Sequence, residues 1–469
     1  MGTLLRPDMM LEPRPHEQVV HLKKREGFGP GPIFKLHPIQ GLILGLLDGV
    51  RSKEDITEVL AQALDLPRQR AEMAVRGIWE RFCQFLVTAE EVAEDDRLFY
   101  NPMHFIFPGS DSLEISIREA APATLVWVVT EDCDKKCRYC YKDASYVADG
   151  KPTDIGISTD RMKALIAEAQ DIGVNKIILT GGEPFLRDDM VELISCMVEA
   201  DFEIVPITKA HFTHERMKAL AATQLEALHI SLDSHDAATV DYITDVPGSF
   251  AQILDTVEKA LRYGVGVILR PVLTSRNVDH LEALIDLTYA MGVRRFIVDI
   301  YGKTCGRHDP NLNLTPAQIE CLYDRRANIT AKYPAIDLNL YFESKSLEND
   351  YGKGCMEGVR SLTIMPQGRT TKCEHWKPDH RLDFGDLRFF SILDIWNGNQ
   401  LKRINFPERK DFKGYACYKC KHLENCNYLR GRCSLTSLLH YDTVGAPDVH
   451  CPIGAFKPRE ASEPITMAV

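Results

Sequence analysis

Between residues 122 and about 305, short apolar runs alternate with stretches whose apolar residues recur every three or four positions. The runs predict strands at 124–130, 176–180, 203–208, 227–232, 265–272 and 294–300. The longer period predicts helices between them, at 159–172, 188–199, 213–222, 249–263 and 278–291. In the first helix Met162, Leu165, Ile166, Ala169 and Ile172 fall on one stripe. Strands and helices that alternate in this way indicate an α/β fold, with crossover helices covering a parallel sheet.

The pattern changes on both sides of this block. Residues 33–44 and the following Leu46-Leu47-Asp48-Gly49 read as an apolar helix ended by glycine. A second helix is expected at 52–64, with Ile56, Val59, Leu60 and Leu64 on its apolar face. A third, at 68–86, carries Ala71, Met73, Val75, Ile78, Phe82 and Phe85. With candidate short strands at 19–24 and 33–36, a small winged-helix-like unit fits. Beyond the strand–helix block, one helix at 315–332 is expected in an otherwise irregular bridge. The expected divisions are therefore 1–115, 116–305, 306–354 and a cysteine-rich 355–469.

Composition narrows the function. The chain has 469 residues, 45% of them hydrophobic and 26% charged, as in ordinary globular proteins. A net charge of −11 argues against a general nucleic-acid or anionic-membrane binder. The N-terminal unit also lacks the basic recognition face and Arg-rich wing of a DNA reader. No apolar run approaches the roughly 18 residues of a spanning helix. Met1-Gly-Thr-Leu-Leu-Arg-Pro lacks a secretory apolar stretch, and Arg6 spoils a myristoylation context. The reading is cytoplasmic.

Fourteen cysteines in such a chain are not a disulfide framework. Cys83, Cys196 and Cys321 lie in apolar-periodic helices and are expected to be buried thiols. Cys305 follows the last strand of the block, where active-site residues gather. Cys133, Cys137 and Cys140 occupy one short loop straight after the first strand. Three thiolates can hold three irons of a 4Fe–4S cube, whereas a structural cluster takes four. The remaining iron is left open, like the open position of a catalytic zinc. A zinc site or inert buried thiols are the alternatives for this loop alone.

The run Cys133-Asp-Lys-Lys-Cys137-Arg-Tyr139-Cys140 resembles the radical S-adenosylmethionine (SAM) superfamily, whose open iron chelates SAM. Thr180-Gly181-Gly182-Glu183-Pro184 resembles that superfamily's Gly-Gly-Glu motif, which implies that Gly181, Gly182 and Glu183 hold the SAM amino group. By the same resemblance Ser231 and Asp233 reach the ribose, Tyr139 lies beside the adenine, and Arg270 pairs with the carboxylate as a bidentate fork. The resemblance implies a partial (β/α)6 barrel with the site at the C-terminal strand ends. One departure is visible. The third strand ends Ile207-Thr208-Lys209-Ala210, where many relatives have Thr-Asn-Gly.

Seven further cysteines, Cys355, Cys373, Cys417, Cys420, Cys426, Cys433 and Cys451, are spaced like those of the SPASM domain, which carries two auxiliary 4Fe–4S clusters. This chain has six residues between Cys426 and Cys433, where three are usual. The family's interleaving implies that Cys417, Cys420, Cys426 and Cys451 close one cluster. Cys355, Cys373 and Cys433 would hold the other, with Cys305, Glu374, His375 or a substrate as fourth ligand. A zinc ribbon at Cys417 and Cys420 would leave the other five unexplained.

Leu46-Leu47-Asp48-Gly49-Val50-Arg51-Ser52 and the residues after it resemble the PqqD-like element, which captures a leader peptide as an added edge strand. Together these resemblances imply three 4Fe–4S clusters, SAM, a precursor peptide or small protein subunit with a leader, and an electron donor such as flavodoxin or ferredoxin. They imply no nucleic-acid partner and no membrane. Thioether crosslinking of a peptide is the first expectation, and the layout is similar to the maturases of quinohemoprotein amine dehydrogenase. Side-chain oxidation or carbon–carbon crosslinking is the alternative. A multi-cluster electron carrier or an iron–sulfur transcription factor would give the SAM-contacting residues no purpose. Asp299, near the end of the sixth strand, is the candidate catalytic base, with Asp143 behind it.

Overall fold

The computed structural model describes residues 2–14, 19–25, 33–105, 120–142, 144–148, 150, 156–302, 307, 309–333, 335–341, 355–375, 382–423, 426, 432–448, 451, 454 and 455. Cys305 and Asp143 lie outside the described residues.

Each of the six expected strands forms. They are β1 (Thr124–Val128), β2 (Lys176–Thr180), β3 (Glu203–Thr208), β4 (Ala227–Ile230), β5 (Gly266–Leu269) and β6 (Arg295–Ile300). They pair in parallel, in chain order. Leu125, Val126, Trp127 and Val128 are all buried, as expected of a strand covered on both faces. β5 resumes as Val272–Leu273 after Arg270 and Pro271, in the same register against β6: Ile268 faces Arg295, and Val272 faces Asp299. Pro271 has no N–H to donate, so the strand breaks there.

The sheet is wider than expected on both edges. Helix Pro316–Lys332 leads into β7 (Asp337–Tyr341), which pairs in parallel with β6. The bridge at 306–354 thus supplies a seventh parallel strand, whose five residues Asp-Leu-Asn-Leu-Tyr alternate in polarity rather than forming an apolar run. On the other edge, β8 (Ser361–Ile364) pairs in parallel with β1. A hairpin follows through β9 (Arg369–Thr371) and β10 (Asp383–Asp386). The expected division at 354/355 therefore falls between strands of one sheet. Leu387, Ile392, Trp396 and Leu401 pack into the same core as the barrel residues Leu125, Leu179 and Leu228. Fully burying each such side chain is worth roughly 1.5–3 kcal/mol. The crossover after β4 also holds an extra helix, Ala237–Thr244, capped by Asp236 accepting from the Thr239 N–H.

The N-terminal unit has its own core, running from Leu5 through Leu22, Leu44 and Phe82 to Phe105. Its antiparallel sheet runs Met9–Arg14, Val19–Lys24, Phe34–Leu36, so residues 33–36 take the strand reading and helix begins only at Pro38–Gly45. Helices Lys53–Ala63 and Arg68–Phe82 follow. The unit touches the barrel closely. Gly173, at φ +82°, has the Ile33 carbonyl oxygen 2.2 Å from where a β-carbon would sit. Two of the thiols expected to be buried are exposed, Cys83 and Cys321. They follow and precede the buried Phe82 and Leu322, and one residue is about 100° of helix turn away from the core-facing stripe. Cys196 is partly buried against the main core. Among the described residues no helix is long and apolar enough to cross a membrane.

Candidate SAM and iron–sulfur sites

The C-terminal ends of β1 to β6 converge on one cavity of about 410 Å³, within the range of small-molecule sites. Its floor is the Gly-Gly turn after β2. The Gly182 N–H donates to the Thr130 carbonyl (2.8 Å) and the Glu183 N–H to the Asp132 carbonyl (2.8 Å). A β-carbon on Gly181, at φ +143°, would lie 2.3 Å from the Thr130 oxygen; one on Gly182 would lie 1.9 Å from the Asp132 oxygen. Only glycine lets the two strand ends approach so closely.

Cys133, Cys137 and Cys140 line this cavity together. Their loop is pinned to helix Ala237–Thr244 by Lys136 N–H to the Thr244 carbonyl (3.0 Å) and Arg138 N–H to the Ile243 carbonyl (2.9 Å). Arg307 closes the other side, donating from Nη2 to the Ala144 carbonyl (2.9 Å). Cys133 Sγ accepts from the Lys135 N–H at 3.4 Å. Burial pushes the Cys133 thiol well up, and that of Cys137 up to about 12, against the opposing pull of Lys209. A bound metal deprotonates a coordinating thiol outright. Three soft donors facing one cavity fit an iron–sulfur cluster with an open iron.

Around the cysteines stand the other expected residues. Glu183 is buried; its Oε1 accepts from Thr208 Oγ1 (2.7 Å) and the Phe185 N–H (3.1 Å), its Oε2 from the Lys209 N–H (2.8 Å). Burial lifts its carboxyl to about 7, with Asp134 adding to the rise and these donors opposing it. Tyr139, Ser231, Arg270 and Asp299 also line the cavity. Asp299 is ion-paired to Arg270 (Oδ2 to Nη2, 3.2 Å), so the candidate base is engaged by the expected carboxylate fork.

Asp233 does not line the cavity. It lies fully buried behind Tyr139, accepting from the Tyr139 hydroxyl (2.6 Å) on Oδ2 and from the Val272 N–H (2.9 Å) on Oδ1. The group in front of it is Lys209, the departure in the third-strand motif. Lys209 Nζ donates to the Tyr139 hydroxyl (2.9 Å) and sits 3.4 Å from Asp233 Oδ2. Burial opposes its charge, yet Asp233 and Cys137 outweigh burial and lift the ammonium above its usual value. The replacement of Asn by Lys in the third-strand motif was the available signal.

The cavity extends beyond the SAM-type residues to Glu374 and His375, which follow Cys373 directly. Tyr141, next to Cys140, stacks its ring 4.6 Å from that of His375, and its hydroxyl shares a 2.7 Å hydrogen bond with Thr180. The His375 N–H donates to Cys373 Sγ at 3.4 Å. Cys373 and Cys355 are both raised by burial, and each lies near enough to another cysteine, Cys355 and Cys433 respectively, to be raised further. Beside them Glu357 is lifted to about 7 by burial and then by Glu374, while Ser361 and Thr363 hydroxyls donate to it at 2.9 Å.

A separate, small cavity is lined by Cys417, Cys420, Cys426 and Cys451, the four that the family's interleaving groups. Leu423, Arg432, Pro447 and Asp448 complete its wall. Asp448 Oδ2 accepts from the Cys433 N–H (2.7 Å), tying this group to the other three cysteines. Four thiols around one small space fit a fully ligated cluster.

Two family models match segments that contain most of these cysteines. Residues 127–288 match the Radical SAM superfamily model, and residues 355–426 match SPASM, an iron–sulfur cluster-binding domain. The chain carries a radical SAM domain followed by a SPASM domain. The radical SAM match runs from within β1 to within helix Leu281–Met291, and the SPASM match starts at Cys355 and ends at Cys426. The chain is 25% identical over 356 residues to the AdoMet-dependent heme synthase of Nitratidesulfovibrio vulgaris, covering 71% of this chain and 92% of that protein. It is 28% identical over 336 residues to the PqqA peptide cyclase of Ruegeria pomeroyi, covering 70% and 87%. Its fold is similar to that of Streptococcus suis SuiB bound to S-adenosylmethionine, with TM-score 0.63 and 17% identity over 96% of this chain and 99% of that one. SuiB has also been solved bound to its precursor peptide SuiA.

Proposed function

We propose that this protein is a radical SAM maturase that modifies a ribosomally made peptide or small protein subunit, forming Cys-to-carbon thioether crosslinks within it. One observation carries the reading: a single cavity reaches from the three-cysteine loop to Glu374 and His375, beside the cysteine-poor auxiliary site. In this reading Cys133, Cys137 and Cys140 hold the SAM cluster. Cys417, Cys420, Cys426 and Cys451 hold one auxiliary cluster, and Cys355, Cys373 and Cys433 hold another with a position left for a substrate thiolate. When bound, the first cluster supplies the electron that turns SAM into a hydrogen-abstracting 5′-deoxyadenosyl radical, and the auxiliary clusters ligate sulfur and accept an electron from the substrate. Flavodoxin or ferredoxin suits the role of external donor.

The chain's own residues bind and orient. Glu183 receives the SAM amino group, Arg270 its carboxylate, steadied by Asp299, and Tyr139 the adenine edge. The convergence of these groups at the strand ends would fix the ligand in one orientation, and positioning of this kind is a general source of rate. Residues 1–115 are assigned to the leader of the substrate. The likeness to SuiB across 96% of the chain, N-terminal unit included, supports a peptide rather than a porphyrin substrate. The likeness to a PqqA peptide cyclase favours a second reading, carbon–carbon crosslinking or side-chain oxidation.

A cysteine-containing candidate precursor peptide, incubated with reduced enzyme and SAM, separates the two readings. Replacing one C–H and one S–H by a C–S bond makes the product lighter by about two hydrogens per crosslink, with that thiol no longer alkylatable. The same mass loss with every cysteine still alkylatable overturns thioether formation in favour of the second reading.

A further inference from the structure

We propose that Lys209 is a SAM-binding residue of this site, presenting its ammonium to a ribose hydroxyl from a seat formed by Asp233 and Tyr139. The assignment rests on the reading of the cavity as a SAM site.

Lys209 lines the cavity, whereas Asp233 is shut away behind it. An ammonium has three protons to donate and no acceptor. One goes to the Tyr139 hydroxyl at 2.9 Å, and a second faces Asp233 Oδ2 at 3.4 Å. The Tyr139 hydroxyl in turn donates to Asp233 at 2.6 Å, so the three groups lock one another in place. The side chain of Lys209 is only 12% exposed, and the third proton is left for the cavity. The same residue's N–H fixes Glu183 Oε2 at 2.8 Å. Residue 209 thereby joins the ends of β2, β3 and β4 around one ligand position. Since Tyr139 flanks the adenine in this reading, the ligand group next along, the ribose, is the one that Lys209 meets. Asp233, expected from sequence to reach the ribose itself, then acts through Lys209 as its counter-charge.

The test is calorimetric binding to anaerobically reconstituted full-length protein, using SAM and, separately, 5′-deoxyadenosine and methionine. Lys209→Met should weaken SAM and 5′-deoxyadenosine roughly ten- to hundredfold, as expected for loss of a hydrogen bond from a charged donor. Methionine binding should change less than about threefold, and Lys209→Arg, which keeps a cationic donor, should retain more nucleoside affinity than Lys209→Met. Iron content and melting temperature, read on the same samples, show whether the variant is folded; if Lys209→Met does not fold, Lys209→Gln, which keeps a donor without the charge, is read instead. Unchanged nucleoside affinity in a folded, iron-loaded variant overturns the assignment, as does a loss confined to methionine. If wild-type protein binds none of the three, the SAM reading of the cavity falls, and this assignment with it.

Discussion

At Gly182 a β-carbon would sit 1.9 Å from the Asp132 carbonyl oxygen, which is backbone and cannot swing aside. Gly182→Ala must therefore push β2 away from the cysteine loop, at a cost of about 1–3 kcal/mol. Denaturant unfolding should register that loss, and SAM affinity should fall with it. An alanine variant as stable and as tight-binding as wild type would contradict the close approach. At Asp299 the ion pair with Arg270 makes a different forecast. Asp299→Asn should raise the dissociation constant for SAM severalfold, yet leave 5′-deoxyadenosine formation intact at saturating SAM. A variant with normal SAM affinity that no longer modifies peptide would restore Asp299 as a base. At this scale the sequence was informative wherever a residue type has one use: paired glycines, spaced cysteines, a lone Glu after a strand. It was misleading where partners decide. Nothing in Leu228-His-Ile-Ser-Leu-Asp233 says that the carboxylate turns away from the cavity toward a lysine just past the end of the neighbouring strand.

Elements were legible when long and periodic. Six strands and five crossover helices stand where their periodicity placed them, because each buries a continuous apolar face. What escaped was short: β7, whose polar residues alternate, and the eight-residue helix Ala237–Thr244, which anchors the cysteine loop. Helix Pro38–Gly45 begins later than its apolar pattern predicts, since Phe34–Leu36 is drawn into strand pairing with Val20–Leu22 instead. Its true start is His37, whose Nδ1 accepts from the Ile39 N–H while its own N–H donates to Gln40. Burial lowers the His37 imidazole from 6.5 to about 4. The unfolded chain then binds more protons than the folded one between those values, so this helix loses stability as pH falls from 6.5 towards 4. Hydrogen exchange of the helix amides should quicken over that window. His37→Asn, which keeps a cap, should flatten the dependence. Exchange in the wild type that does not change across the window would contradict the neutral buried cap.

On the scale of the whole molecule, two cores carry different duties. The N-terminal core is separate from the one shared by barrel and C-terminal part. Deleting residues 1–115 should accordingly spare uncoupled SAM cleavage but weaken binding of a full-length precursor, measured by titration; equal modification of that precursor by the truncated enzyme would remove the recognition role. The cysteine-rich part behaves otherwise, since β8 to β10 extend the barrel's own sheet and Trp396 fills its core. Cysteine spacing announced that part's chemistry without its attachment, because strand pairing between distant segments leaves no local mark. Which substrate is read, and whether Cys305 completes the auxiliary site, likewise depend on contacts that no spacing encodes. The central claim is that the three-cysteine loop holds the cluster that cleaves SAM. Anaerobically reconstituted wild-type protein should hold about twelve irons in three clusters and, once reduced, release 5′-deoxyadenosine from SAM. Changing Cys133, Cys137 and Cys140 together to Ala should remove about four of those irons and all of the 5′-deoxyadenosine. Reductive cleavage of SAM that persists in the triple variant would contradict the account.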